Sequence, residues 1–163
     1  MVGKRYAIVG LGGRSSMYVE ALADAFKKHG ELCAFCDINT TRMAFYNKKL
    51  QEDHQIAPLP AYTPDRFEAM ISEQNIDTVI VTSVDRTHHR YIIRAMEAGC
   101  DAITEKPMTV DADKCNAILD TIKRTGKSLR VTFNYRYAPR SSKVKELLMQ
   151  GVIGDIKSVH FEW

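Results

Sequence analysis

The sequence predicts an α/β protein built on a doubly wound parallel sheet. Apolar strand patterns and helix patterns alternate along most of its 163 residues, which is the order of elements in such folds. The strand at 77–82, "DTVIVT", is a continuous apolar run of the kind that parallel sheets bury on both faces. The first strand, "RYAIV", passes through three closely spaced glycines directly into a helix, as in the first β–α turn of many doubly wound folds.

The predicted elements follow one another with short connections. Pro58 and Pro60 limit their segment to a short edge strand, because proline cannot donate to a sheet. Thr63 is placed as the N-cap of the next helix with Pro64 at its first position, and Gly126 ends a later helix. In chain order we expect a strand at 5–9, a helix at 14–29, a strand at 31–37, a helix at 40–54, a strand at 58–62, a helix at 63–74, a strand at 77–82, a helix at 88–99, a strand at 101–105, a helix at 111–126, a strand at 128–133, a helix from about 139 and a strand at 155–163.

Composition is that of an ordinary globular protein. Hydrophobic residues make up 45% and charged residues 26%, and the net charge of +3 does not indicate a nucleic-acid or membrane surface. No apolar stretch approaches the roughly 18 residues that a membrane-spanning helix needs. The N-terminal "MVGKRYAIVG" has no signal-peptide core, so we expect a cytoplasmic protein. Cys33 and Cys36 lie inside a predicted buried strand without a second pair, so we interpret them as small core residues and expect no metal site.

The glycine turn after the first strand is a candidate phosphate-binding site. Glycine lets the backbone turn tightly and approach a ligand closely, and the start of a helix presents unpaired N–H groups. A plain β–α turn could carry the same glycines, but their position between a first strand and a helix favours a Rossmann-type dinucleotide site. The candidate cofactor-binding residues of this turn are Gly10, Leu11, Gly12, Gly13, Arg14 and Ser15, with Ser15 where a third glycine or alanine is usual.

An acidic residue at the end of the second strand is the second part of such a site, and it is expected about 20 residues after the glycines. Asp37, followed by Ile38, occupies that place. Its carboxylate can accept both hydroxyls of an adenosine ribose and would repel a 2′-phosphate, so we expect NAD as the cofactor, with NADP less favoured. Arg42 could reach a 2′-phosphate if Asp37 pointed away, and Asp37 could instead be a turn or N-cap residue.

Lys106 is the candidate catalytic residue. It lies between Glu105 and Pro107 at the carboxyl end of the strand at 101–105, which is the same sheet edge as the glycines. A lysine there can hydrogen-bond a substrate hydroxyl and favour its alkoxide as hydride leaves. An isolated lysine is more often a solvated surface group, so this role depends on its position in the motif.

The segment "VIVTSVDRTHHRYIIRAMEAGCDAITEKPMTVD" resembles the Gfo/Idh/MocA family of nicotinamide-dependent oxidoreductases, which act mainly on sugars and polyols. The family's polar strand end corresponds to Thr82–Ser83 and its histidine to His88. Its helix end corresponds to Ala95–Gly99 and its E-K-P motif to Glu105-Lys106-Pro107. The stretches "NYRYAP" and "GVIGDIKSV" fit as well, so the resemblance covers nearly the whole chain.

This resemblance implies an NAD(P)-dependent oxidoreductase acting on a sugar, polyol or related hydroxy compound, with Lys106 as a catalytic residue. Pro107 would shape its turn, and a cis bond there is one possibility. His89 is interpreted as structural, and Arg136 could instead be a surface arginine. Besides the glycine turn, the implied cofactor-binding residues are Asp37, Ile38, Arg42, Thr82, Ser83, Val84, His88, Glu105, Lys106, Asn134 and Arg136.

The resemblance also implies the domain organisation. Residues 1–133 are expected to form the dinucleotide-binding domain. Residues 134–163 are expected to supply the connecting helix and first strand of a second, α+β domain, of which only the start is present. In the family that second domain forms the substrate wall and the oligomer interface, so we expect a small-molecule substrate and a homo-oligomer. Nucleic acid and membranes are not expected as partners.

Two other functions are compatible with these residues. Some proteins of this fold are glycosidases that use tightly held NAD, and their glycine turn is similar to "GGRS" here. Others are nucleotide-sensing regulators without enzymatic activity. The complete Glu105-Lys106-Pro107 motif argues against the regulator.

Overall fold

Six parallel strands form one sheet in the computed structural model, which describes residues 3–160 and 162. The spatial order is β3-β2-β1-β4-β5-β6, so the chain builds outward from β1 in one direction and then from β4 in the other. This confirms the predicted doubly wound sheet. The strands are β1 (Lys4–Val9), β2 (Gly30–Cys36), β3 (Ala61–Tyr62), β4 (Thr78–Val81), β5 (Asp101–Glu105) and β6 (Leu129–Thr132).

Helices connect the strands at nearly all of the expected places. The predicted helix at 14–29 is shorter than expected: a 3₁₀ turn at Gly13–Ser15 leads into α1, and one π-helical segment, Ala21–Ala25, ends it. Within the described residues no helix is both long and apolar enough to cross a lipid bilayer. The α-helices are α1 (Ser16–Glu20), α2 (Thr40–His54), α3 (Phe67–Glu73), α4 (His88–Glu97), α5 (Ala112–Thr125) and α6 (Pro139–Met149).

Two apolar layers lie on opposite faces of the sheet. Alternate residues of β4 enter different layers, with Val79 and Val81 on one face and Ile80 on the other. All four residues of this strand are buried, as its continuous apolar sequence predicts. Helices α1 and α2 cover the face of Ile80, whereas α3, α4 and α5 cover the other face.

A β-bulge in β2 explains how both cysteines of the C-x-x-C pair reach the same apolar layer. Leu32 pairs with Tyr6 and Ala34 pairs with Ala7, so Cys33 is an extra residue in the strand. Cys33 and Cys36 are both buried, as predicted for core residues. Burial raises the pKa of Cys33 to about 11 and that of Cys36 to about 12. Both thiols are therefore protonated at neutral pH, and no metal-binding cluster of His, Cys, Asp and Glu occurs among residues 3–160 and 162.

The chain divides into two compact units, residues 1–132 and residues 133–163. The second unit contains α6, which begins at Pro139 as expected. The predicted strand at 155–163 is wrong for residues 155–160 and 162, which are not in a strand, and Phe161 and Trp163 lie outside the described residues. The alternating pattern there leaves Ile156 and Val159 exposed, because a strand needs a hydrogen-bonding partner and this unit supplies none within its described part.

Candidate functional site

A crevice opens beyond the carboxyl ends of β1 and β4, where the order of the strands reverses. In open parallel sheets this is the place where ligands bind. Its volume of about 260 Å³ is below the roughly 300–1,000 Å³ of a typical small-molecule pocket, so it suits part of a dinucleotide. Eight of the predicted site residues line it: Gly10, Gly12, Asp37, Ile38, Arg42, Thr82, Ser83 and Val84. Five further lining residues were not predicted as site residues from the sequence: Val9, Cys36, Arg86, Thr87 and Tyr91.

Gly10 is required by the fold itself. Its φ is +89°, and a Cβ atom there would lie 2.3 Å from the Ser83 Cα atom. The Gly10 carbonyl accepts a 2.6 Å hydrogen bond from the Thr82 hydroxyl, and its N–H donates to the Cys36 carbonyl at 2.9 Å. Gly10 therefore holds the end of β1 tightly between β2 and β4.

Gly12 and Gly13 are glycines for a different reason. A Cβ atom at either position would meet no atom within 4 Å, and Gly12 has an ordinary φ of −81°. Nothing within the described part of the chain therefore demands glycine here. What the two glycines do provide is backbone that a ligand can approach closely, which fits the diphosphate of a dinucleotide.

Ser15, at the third position of the turn, is fully buried and does not face the crevice. Its hydroxyl lies 2.6 Å from the Gly12 carbonyl oxygen and 3.0 Å from the Tyr46 hydroxyl. The Tyr46 hydroxyl lies 3.1 Å from the same carbonyl oxygen. The predicted contact of Ser15 with a cofactor can thus be made only by its backbone, because its side chain lies beneath the turn.

Asp37 lies at the end of β2 and is only 5% exposed. One carboxylate oxygen accepts the Leu11 N–H at 2.5 Å, and the other accepts the Asn39 N–H at 2.7 Å. The N-cap of α2 is Asn39, whose side chain accepts from the N–H groups of Thr41 and Arg42. Asp37 therefore does not cap this helix, but its side chain does take the turn role that the sequence also allowed, because it accepts the N–H two residues on. Its other oxygen joins the glycine turn to the end of β2.

The rim of the crevice combines apolar and basic side chains. Ile38 is 83% exposed and Val84 is 62% exposed, so their apolar side chains are open to a ligand at the rim. Arg42 and Arg86 also line the crevice, are exposed, and form no ion pair within the described residues. The rim therefore offers apolar faces to a flat ring and two unpaired cations to an anionic group.

Glu105, which precedes Lys106, is the centre of a buried hydrogen-bond network. Its Oε1 atom accepts from Tyr18 Oη at 2.7 Å, Arg14 Nε at 2.9 Å and Thr132 Oγ1 at 3.0 Å. Burial opposes ionisation of this carboxyl, but the hydrogen bonds from Tyr18, Arg14 and Thr132 outweigh it and lower the pKa of Glu105. Burial also raises the pKa of Tyr18 to about 12. An ionised Glu105 thus connects the glycine turn to the end of β5.

His88 connects the two loops that follow β4 and β5. Its side chain is 1% exposed, with Nδ1 2.8 Å from the Pro107 carbonyl oxygen and Nε2 2.9 Å from the Ser83 carbonyl oxygen. A carbonyl only accepts hydrogen bonds, so both contacts are hydrogen bonds only when both ring nitrogens carry a proton. His88 thus fastens the E-K-P turn to the crevice wall without lining the crevice itself.

The neighbouring His89 is half-buried, and its Nδ1 atom has no hydrogen-bond partner within the described part of the chain. Burial and the nearby Lys114 lower the pKa of His89. The structural interpretation of His89 stays a prediction.

Several predicted residues lie outside the crevice. Leu11 and Gly13 belong to the turn without lining it, and Arg14 is engaged by Glu105. Lys106 is exposed, forms no ion pair within the described residues, and is followed by a cis peptide bond to Pro107. Asn134 and Arg136 belong to the second unit, so their roles remain predictions.

Comparison with known proteins gives the family. The sequence model of the Gfo/Idh/MocA oxidoreductase family, described as an NAD-binding Rossmann fold, matches residues 4–133. The chain is 34% identical over 161 residues to the Bacillus subtilis protein YteT, covering 98% of this chain and 37% of YteT.

Two further relatives carry specific names. An inositol 2-dehydrogenase/D-chiro-inositol 3-dehydrogenase of Lactiplantibacillus plantarum is 28% identical over 92% of this chain and 41% of its own length. A glycosyl hydrolase family 109 protein of Shewanella baltica is 30% identical over 93% of this chain and 33% of its own length. The chain therefore spans well under half of the length of the curated relatives that it matches.

A solved structure shows the same fold. Scyllo-inositol dehydrogenase from Lactobacillus casei, with bound NAD(H) and scyllo-inositol, superposes with a TM-score of 0.81 at 24% identity, covering 94% of this chain and 43% of that one. The strand order, the glycine turn and the family match over residues 4–133 agree with one another. The chain belongs to the Gfo/Idh/MocA oxidoreductase family and contains its NAD-binding Rossmann domain.

Proposed function

We propose that this chain is the cofactor-binding part of an NAD-dependent dehydrogenase that acts on a CH–OH group of a sugar, polyol or related hydroxy compound. The observation that carries the proposal is the open backbone at Gly12 and Gly13 beside the anchored carboxylate of Asp37. The fold gives no reason for either glycine, whereas a dinucleotide gives one for both. Lys106 follows β5 at the same sheet edge.

Each part of the dinucleotide has a matching feature in the crevice. The backbone at Gly12 and Gly13 would approach the diphosphate, and Ile38 and Val84 would pack against the adenine ring. Asp37 already accepts two backbone N–H groups, but each carboxylate oxygen has two lone pairs. One acceptor site on each oxygen therefore stays free for the two ribose hydroxyls.

The anchoring of Asp37 also supports a preference for NAD over NADP. Turning this carboxylate away from a 2′-phosphate would break its hydrogen bonds with Leu11 and Asn39, and leaving the buried Leu11 N–H unpaired costs about 1–3 kcal/mol. Arg42 and Arg86 act in the opposite direction, because either could pair with that phosphate. We expect the anchored carboxylate to dominate.

Lys106 is proposed as the acid–base group of the reaction. A bound nicotinamide ring supplies the hydride acceptor. Lys106 Nζ would hydrogen-bond the substrate hydroxyl and take its proton, while Glu105 and His88 hold the turn on either side of it. A homo-oligomer and a cytoplasmic location remain expectations from the sequence.

The cofactor preference is tested by calorimetric titration of the chain with NAD and with NADP. NAD should bind more tightly, and Asp37→Ser should narrow the difference at least tenfold, because it removes the anion that opposes the 2′-phosphate. Asp101→Ser is the matched control, since this acid lies at the other edge of the sheet. Equal affinities of the unmodified chain for both cofactors would contradict the preference, and no binding of either would contradict the proposal itself.

An NAD-dependent glycosidase is the second candidate, because the Shewanella baltica relative named as a glycosyl hydrolase is 30% identical to this chain. Such an enzyme would restore its cofactor in every cycle. Incubating the complete protein with NAD and candidate sugars distinguishes the two functions: net NADH indicates the dehydrogenase, and a released sugar without net NADH indicates the glycosidase.

A further inference from the structure

The carbonyl group of Gly12 is held from three directions. Its oxygen accepts the Ser15 N–H at 3.2 Å, and the hydroxyls of Ser15 and Tyr46 lie 2.6 Å and 3.1 Å from it. The two hydroxyls also contact each other at 3.0 Å. Ser15 is fully buried and Tyr46 is 5% exposed, so both residues that hold this carbonyl are shielded from water.

A fixed carbonyl also fixes the next N–H group. In a planar trans peptide the C=O of one residue and the N–H of the following residue point in opposite directions. The Gly12 carbonyl is directed at buried hydroxyls, so the Gly13 N–H is directed away from them. That N–H donates to no acceptor within the described part of the chain, and the space beside both glycines is open.

We propose that Ser15 and Tyr46 are positioning residues that orient the Gly12–Gly13 peptide so that its N–H is ready to donate to the diphosphate of the cofactor. This inference rests on the proposed function. Neither side chain would touch the cofactor, because both act through the Gly12 carbonyl. Without them, this peptide could rotate at little cost, since glycine has the widest backbone freedom of all residues.

The serine at the third position of the turn follows from this role. A glycine or alanine there serves close packing between helix and strand, but it cannot hold the Gly12 carbonyl with a side chain. Ser15 is small enough to be fully buried in the same place, and Tyr46 contributes its hydroxyl from α2. The aromatic ring of Tyr46 also packs against Phe35 and Phe45, so removing only its hydroxyl leaves the packing intact.

The test compares two ligands that differ in the diphosphate. NAD contains it, whereas adenosine offers only the base and ribose that Asp37 would hold. NMR titration of the ¹⁵N-labelled chain measures both dissociation constants and follows the Gly13 amide signal directly. The variants are Ser15→Gly, Tyr46→Phe and the double variant, and Tyr62→Phe is the control because its hydroxyl is hydrogen-bonded to Glu73 away from the turn.

We expect each single variant to weaken NAD binding about fivefold, which corresponds to the loss of one hydrogen bond. Adenosine binding should not change, and the downfield shift of the Gly13 amide on NAD binding should shrink. The double variant should lose less than the product of the single losses, since both hydroxyls act on one carbonyl. Tyr62→Phe should leave both ligands unaffected.

Three outcomes would overturn the inference. If NAD and adenosine weaken in parallel, the two hydroxyls only stabilise the domain. If neither ligand is weakened while thermal unfolding shows folded variants, the hydroxyls have no positioning role. If the unmodified chain binds adenosine but not NAD, the diphosphate does not lie at this turn. A chain that binds neither NAD nor adenosine would contradict the proposed function as well. The three outcomes above contradict only the positioning role of Ser15 and Tyr46.

Discussion

The two edges of the same sheet differ in the groups that they leave available to a ligand. At the amino edge, Lys4 pairs with Asp101 at 2.9 Å and Arg5 pairs with Glu31 at 2.7 Å. At the carboxyl edge, Asp37 is held by backbone N–H groups and has no cation partner among the described residues. Each edge also holds the other kind of group, since Arg14 pairs with Glu105 at the carboxyl edge and Asp77 accepts the Arg5 N–H at the amino edge. What the carboxyl edge adds is the open backbone of Gly12 and Gly13 and two rim arginines, Arg42 and Arg86, that form no ion pair within the described residues.

Size alone does not favour the candidate site. The crevice at the amino edge, lined by Lys4, Asp77 and Asp101 among others, has a volume of about 470 Å³ and is larger than the one at the glycine turn. Lys4, Arg5 and Asp101 there are already in ion pairs, so a ligand that used these groups would first have to break those contacts. The candidate site at the carboxyl edge is distinguished by the open backbone of Gly12 and Gly13, which have no positive φ to require glycine, and by Arg42 and Arg86, which form no ion pair within the described residues.

The largest expected effect is a loss of stability at Gly10. The comparison is with Gly99, where only the backbone angle requires glycine. Gly10→Ala should lower the free energy of unfolding by about 3 kcal/mol or more, because its Cβ atom would overlap the backbone of Ser83. Gly99 has nearly the same φ, +90°, but open space around it, so Gly99→Ala should cost only about 1 kcal/mol. Urea unfolding of both variants measures the difference, and equal losses would show that the overlap is relieved by a backbone shift.

A smaller effect is expected at Gly12, where the substitution should weaken cofactor binding without lowering stability. Gly12→Ala should leave the free energy of unfolding unchanged or raise it by up to about 1 kcal/mol, because its φ of −81° suits alanine. Affinity for NAD should fall about tenfold, since the methyl group occupies the space that a diphosphate would use. Calorimetry and urea unfolding of the same samples test both parts. Unchanged NAD affinity would show that the open space is not part of the site.

The smallest effect belongs to the amino edge. The hydrogen bond from Lys4, with that from the Ser128 N–H, lowers the pKa of Asp101 from 3.8 to about 2. The stability that this carboxylate contributes is therefore complete above about pH 4 and is lost as the pH falls towards 2. Asp101→Asn should remove about 1 kcal/mol of stability at pH 7 and little at pH 2, because the pair is partly exposed.

Urea unfolding across this pH range measures the effect of Asp101→Asn, with Asp120→Asn on the exposed side of α5 as control. NAD affinity at pH 7 should not change in either variant. If Asp101→Asn weakened NAD binding, the two edges would not be independent.

The sequence predicted those helices and strands whose ends are set by neighbouring residues. The helix at 40–54 and the strand at 101–105 have the predicted bounds, because capping and apolar runs define them within a few residues. The strand expected at 155–163 has equally good alternation, but a strand depends on a partner strand, and alternation does not supply one. Patterns therefore predict what an element can be, while its pairing decides whether it forms.

The candidate site likewise contains residues that the sequence could predict and residues that it could not. Gly10, Gly12 and Asp37 could be found because their spacing is a local property of one β–α–β unit. Tyr18 and Tyr46 could not, although the spacing of Met43, Tyr46 and Leu50 marks the buried face of α2. The Tyr18 hydroxyl meets groups 87 and 114 residues away, and the Tyr46 hydroxyl meets one 31 residues away. Only the assembled fold determines those contacts.

The extra residue in β2 makes this strand tolerant of a change in length. On either side of Cys33 the remaining side chains alternate without interruption between the two apolar layers, with Leu32 on one face and Ala34 on the other. Deleting Cys33 would therefore join two segments whose side chains already alternate in phase. The side chains of the strand would not exchange faces of the sheet. A chain shortened by this one residue should keep its hydrogen-bond register, and Asp37 would still arrive at the crevice.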